Sequence, residues 1–203
     1  MDRSISSAPP SISLSQYRTI DLAILTGLMD ASQVAIHLAV SFWRADQTGY
    51  IVSPVAAMVA LVMMRWNLWA AVPAMLGGIL LTLLSRGTAE QMLIYSAGNL
   101  LSVLALLYLK LIGKERVRGN VVLALFFAIL VQLLMQFGRA GVALLVGHPL
   151  QACWDFITTD VMSILFTAVI IWIVRRVEGL FEDQKHYLLR IQRQQSVKGG
   201  EQL

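Results

Sequence analysis

NVVLALFFAILVQLLMQFGRAGVALLV, residues 120–146, decides the fold class. Coiled as a helix at 1.5 Å per residue, it measures about 40 Å, more than the roughly 30 Å of a bilayer's hydrocarbon. Its one ionisable residue is Arg139. Five further apolar runs share its character: Thr19–Trp43, Ile51–Arg65, Trp66–Leu84, Met92–Ile112 and Ala152–Val174. The pattern predicts an all-α, polytopic membrane helical bundle with about six transmembrane helices over residues 19–176. A loose Ser- and Pro-rich tail, 1–18, precedes it. In residues 177–203, Val177, Leu180, Phe181, Leu188 and Ile191 recur at helical spacing between charges, the mark of an amphipathic helix followed by a tail.

The second run is the short one. Arg65-Trp66-Asn67 is the only polar break between it and the third, so the turn there must be tight. The two runs therefore either tilt or form a broken or re-entrant pair. The first run is too long for a signal-peptide core and contains no small-residue cleavage site, so it reads as a retained helix.

Composition agrees. Of 203 residues, 57% are hydrophobic and 14% charged, against about 25% charged in a soluble domain. Mean hydropathy is +0.69. The net charge of +4 would suggest nucleic acid in a soluble protein. Here the basic residues lie between and after the apolar runs, where they report membrane orientation, and no nucleic-acid partner is expected. The single cysteine, Cys153, can form neither an internal disulfide nor a structural zinc site, and reads as an apolar filler.

The loop charges orient the bundle. With the N-terminus inside, the inner segments hold Arg3, Arg18, Arg65, Lys110, Lys114, Arg116, Arg118, Arg175, Arg176, Lys185, Arg190, Arg193 and Lys198, whereas the outer loops hold only Arg44 and Arg86. This asymmetry is a positive-inside signal, and it predicts both ends in the cytoplasm of a cell-membrane protein.

Asp30, His37, Arg139, Asp155 and Asp160 fall inside the predicted spans. At about 2.5–3.5 kcal/mol each for mid-bilayer charge, they would cost on the order of 10 kcal/mol unpaired, so they must pair or face a wet cavity. Arg139 lies about seven residues, or roughly 10 Å, from the outer end of its helix. Asp155 and Asp160 bracket that depth in the last run. The expectation is an ion pair between Arg139 and one of them, joined in the outer half by His37, Asn99 and Gln136. Trp43, Tyr50, Tyr95 and Trp154 sit near the same boundary, where aromatics commonly form an interfacial belt. These polar residues and Trp154 are the candidate substrate-binding set; a structural clamp is the competing reading of the Arg–Asp pair.

Gly27, Ala31, Ala35 and Ala39 repeat every fourth residue along the first run. Small residues let a second helix approach closely, either within the bundle or from another subunit. Catalytic, metal-binding and cofactor motifs are missing: the sequence contains no Gly-x-Ser-x-Gly, no His-Glu-x-x-His and no Gly-rich phosphate loop. It is not read as an enzyme, and it encodes no ATPase of its own.

This layout resembles the S component of energy-coupling-factor (ECF) transporters, small six-helix bacterial membrane proteins with cytoplasmic termini and an outward-opening pocket for a vitamin or similar micronutrient. Ala31-Ser-Gln-Val-Ala35 matches the family's helix 1 stripe. Arg175-Arg-Val-Glu-Gly-Leu-Phe-Glu-Asp-Gln-Lys-His-Tyr-Leu-Leu-Arg190 is similar to tails of S-like bacterial proteins. The resemblance implies a small-molecule substrate, a T component docking on Gly27, Ala31, Ala35 and Ala39, with Leu180 and Phe181 as further partner contacts, and two ATPase subunits that drive release inward. It does not imply which solute is bound. The alternative is a structural or scaffolding membrane subunit, of rod-shape or sensor type, that recruits proteins through its tail. A small membrane enzyme using His37 or His148 with an Asp is a third reading.

Overall fold

The computed structural model describes residues 13–43, 52–158 and 160–191, and these form helices joined by short turns and loops, with no strand among them. Residues 1–12 of the expected N-terminal tail, Tyr50 of the aromatic belt, Arg44 and residues 192–203 lie outside them. The helices are α1 (Leu14–Trp43), α2 (Val55–Trp66), α3 (Ala71–Leu84), α4 (Ala89–Asn99), α5 (Ala105–Ile112), α6 (Lys114–Gly119), α7 (Val121–Val146), α8 (Leu150–Thr158) and α9 (Val161–Val174). Short 3-10 segments join α2 to α3 at Asn67–Ala70 and α4 to α5 at Leu100–Leu104. Residues 184–191 form a last helical segment.

Among the described residues, five stretches are long and apolar enough to cross a membrane: Leu14–Phe42, Val55–Leu84, Ala89–Ile112, Val121–Val146 and Cys153–Val174. The chain is a multi-pass membrane protein. Large apolar side chains such as Ile24, Leu28, Phe126, Leu165 and Val169 are exposed along these helices, as lipid-facing residues must be.

The stretch Val55–Leu84 is not straight. A Cβ on Gly77 would meet the Val55 side chain at 2.6 Å. In an unbroken helix those residues would stand roughly 33 Å apart. The chain folds back at Asn67, whose φ of 55° lies in the left-handed region that Asn tolerates better than most residues. The tight turn expected after Arg65 is there, and α2 and α3 are the arms of a helical hairpin. Nearly every residue of α2 is buried, only Met58 being partly exposed. A helix apolar all round belongs inside a bundle. Packed on α1, α3, α7 and α9, it is sheathed by protein.

Local chemistry fixes the remaining ends. Thr88 and Gln91 form a reciprocal capping box at the head of α4. The Asn120 side chain accepts from Val122 and Leu123 at the head of α7. Gly147, with φ of 101°, closes that helix, and His148 N–H donates back to Ala143 O.

Hydrogen bonds and ion pairs gather the start of α1, the Asn67 turn, the α5–α6 junction and residues 175–191 at one end of the bundle, called here the basic end. Ser53, the α3–α4 turn and the α7–α8 junction share the far end, where Ser53 N–H donates to Ser163 Oγ and His148 lies 3.0 Å from Glu90.

Candidate functional site

The charge in residues 120–146 finds its partner. Arg139 Nη1 donates to Asp160 Oδ2 at 2.8 Å, with both side chains 4% exposed. Arg139 Nε donates to Asn99 Oδ1, also at 2.8 Å, and Asn99 Nδ2 donates to Ala74 O of α3. Gln132 Nε2 donates to Asp160 Oδ2 at 2.7 Å, and Gln136 Nε2 to the Asp160 carbonyl at 3.4 Å. The Arg139 guanidinium lies 4.8 Å from the centre of the Tyr95 ring, a cation–π contact. Four elements thus supply one buried polar cluster: α3, α4, α7 and the α8–α9 junction.

Periodicity explains the alignment on α7. Residues 132, 136 and 139 are spaced four and three apart, so they share a face. Glycine explains the approach of α4. A Cβ on Gly98 would meet the Arg139 backbone at 2.6 Å, and one on Gly138 would collide with the Gly98 carbonyl. Two glycines in register bring the backbones into contact, as small residues do between membrane helices, and set Asn99 against Arg139. Gly78 does the same for α3, since its missing Cβ leaves room for the Tyr95 carbonyl.

Asp160 sits where the last span is interrupted, between α8 and α9, and its carbonyl accepts from Ser163 N–H, three residues on. Interrupted helices are tolerated at membrane depth where protein or a cavity satisfies the backbone. Here Gln136 provides part of that satisfaction.

Of the residues expected together, Asn99, Gln136, Arg139 and Asp160 converge, and the structure adds Gln132 and Tyr95. His37 is partly exposed on α1, which packs on α2 and α3. Asp155 is exposed on α8, and Trp154, 55% exposed, lines an apolar groove with Phe137, Leu144 and Cys153. The Gln132 signal was present in the sequence, as a third polar residue on the Gln136–Arg139 face.

Gly27, Ala31, Ala35 and Ala39 are all exposed, and a Cβ on Gly27 would meet nothing within 4 Å. The stripe is not used in packing the described bundle. Beside it Asp30 is partly buried, its Oδ1 without a hydrogen-bond partner among the described residues.

A second polar cluster closes the basic end, with the residues after α9 turned back beneath the bundle. Arg65 donates to both carboxylate oxygens of Asp21, at 2.6 and 2.8 Å, and to the carbonyls of Gly179 and Leu180. Lys114 bridges Met64 O and Asp183. Glu182, 4% exposed, pairs with Arg118 and Arg190. Gln184 donates to Gly179 O and accepts from the Tyr17 hydroxyl. Phe181 is 1% exposed and belongs to the main core, with Leu180 packed beside it. Phe181 is thus enclosed by its own bundle, where a partner contact was expected. The signal for this cluster was the acidic Glu182-Asp183 pair, set among the basic residues that converge on this end.

No family model, curated protein or solved structure matches the chain.

Proposed function

We propose that the chain is the membrane-embedded substrate-binding subunit of a micronutrient uptake transporter in the cell membrane. Six crossings, counting both hairpin arms, put the two ends in the cytoplasm with the basic end. A vitamin-like solute binds from the opposite side, and partner subunits, a T component and ATPases, energise its release. The observation that carries this reading is the Arg139–Asp160 pair, collected with Asn99, Gln132 and Gln136 in the half of an apolar bundle remote from the basic end. Sites in membrane proteins take this form: few polar groups, converging from facing helices beside an interrupted span. The exposed Gly27–Ala39 stripe supports docking of a partner helix, and Asp30 beside it offers an acceptor to that partner.

The test is thermal stabilisation of the detergent-purified protein by a panel of vitamins and nucleobases. A ligand at 100 times its Kd adds about 2.7 kcal/mol. A folded protein that no compound stabilises sinks the proposal. It would favour the structural-subunit reading, in which the same pair only clamps helices.

A further inference from the structure

Each amide and the guanidinium of the buried cluster donates to protein, whereas two of its side-chain oxygens have no partner among the described residues. Arg139 Nε and Nη1, Gln132 Nε2, Gln136 Nε2 and Asn99 Nδ2 all donate to protein oxygens. Asp160 Oδ1 and Gln136 Oε1 have no partner among the described residues, although their side chains are at least nine-tenths buried. Buried oxygens with lone pairs unmet are costly, and such atoms are met by a hydrogen donor, from ordered water or from a ligand. Both atoms lie on the side chains that meet at the α8–α9 interruption, where Gln136 Nε2 touches the Asp160 carbonyl.

Charge narrows the class. Arg139 and Asp160 neutralise each other at 2.8 Å. An anionic ligand would compete with Asp160 for Arg139 and strand a buried carboxylate; a cationic one at Asp160 Oδ1 would add a buried charge that the neutral pair does not balance. The first breaks a buried pair and the second leaves an uncompensated buried charge, and both are expensive. A neutral group with N–H donors leaves the Arg139–Asp160 pair intact and offers hydrogens to the open oxygens.

We infer that this site takes a neutral ligand bearing an exocyclic amino or carboxamide group, whose N–H donors go to Asp160 Oδ1 and Gln136 Oε1. This rests on the substrate-binding reading and specifies it. Arg139 does not bind the ligand's charge; it holds Asp160 and Asn99 in place.

The experiment uses the purified full chain and a panel of matched triads on pyridine, pyrimidine and purine rings. Each triad presents the same ring with a carboxamide or amino group, with a carboxylate, and with an aminomethyl cation. Affinity is measured by thermal shift and calorimetry. The expected result is binding of the neutral member of at least one triad about tenfold tighter than its carboxylate and its ammonium counterparts. Gln136→Met, which leaves the Arg139–Asp160 pair intact, should weaken that binding about tenfold. Tighter binding of the carboxylate or the cation overturns the ligand class while leaving a solute site standing. Binding of the neutral member that Gln136→Met leaves unchanged overturns the placement. Absence of binding across the panel, with the protein folded, removes both this inference and the substrate-binding reading. The triad comparison needs no variant, so it decides the class even if Gln136→Met fails to fold.

Discussion

Gly138 of α7 lies against the carbonyl of Gly98 on α4, leaving no space for a side chain between the two backbones. The close approach is what lets a short Asn99 reach Arg139. Gly138→Ala should force the helices apart and destabilise the protein by about 1–3 kcal/mol, the usual range for overpacking. It should also disrupt the Asn99–Arg139 hydrogen bond. Thermal unfolding in detergent checks this; a neutral result would show that α4 and α7 are not in backbone contact. Gly27→Ala, with open space around it, is the control and should be silent.

Arg139 and Asp160 are worth little as a net interaction but much as a pair to break. Arg139→Met or Asp160→Leu alone should destabilise by roughly 3–5 kcal/mol, since each leaves one buried charge uncompensated. The double variant should be less damaged than the sum of the two. A double-mutant cycle that came out additive would mean the residues do not meet.

How much of this was readable in advance follows from what the membrane demands. Lipid requires long apolar runs, so the helices were legible from hydropathy. A charge inside such a run requires a partner at matching depth, so Arg139 with an Asp was legible too. Choosing between Asp155 and Asp160 needed the break between α8 and α9: Asp155 lies on an exposed face of α8, whereas Asp160, at the break, is buried against α7. His37 has a suitable depth, but depth says nothing of lateral neighbours, and α1 packs on α2 and α3. The hairpin's tight turn could be read at Asn67; the packing of α2 against α1, α3, α7 and α9 could not. The docking of Phe181 was invisible because its framework, Asp21, Arg65, Lys114 and Arg118, is scattered through the sequence.

Removing the Phe181 ring tests that docking. Phe181→Ala empties a fully buried site and should cost about 3–5 kcal/mol. Residues 177–191 should then become open to protease in intact proteoliposomes, on whichever side they face. Unchanged stability would place the ring outside the core.

Sidedness is checked by single cysteines in a Cys153→Ser background, labelled with an impermeant maleimide on intact cells. Leu68→Cys at the hairpin turn and His186→Cys should both be labelled only after permeabilisation, and Gln91→Cys without it. Labelling of position 68 from outside would put the hairpin turn on the opposite side, and labelling from neither side would leave it within the bilayer; either result sinks the six-crossing reading.

Arg65 draws two of its acceptors from residues 114 and 115 positions further along the chain. A ribosome adding roughly 5–20 residues per second needs on the order of 6–20 s to deliver them. Throughout that interval Asp21, already made, is the only counter-charge Arg65 has from this network. The bundle's basic end is therefore sealed last. A chain halted before Gly179 would carry Arg65 without two of the carbonyl acceptors that close the basic end.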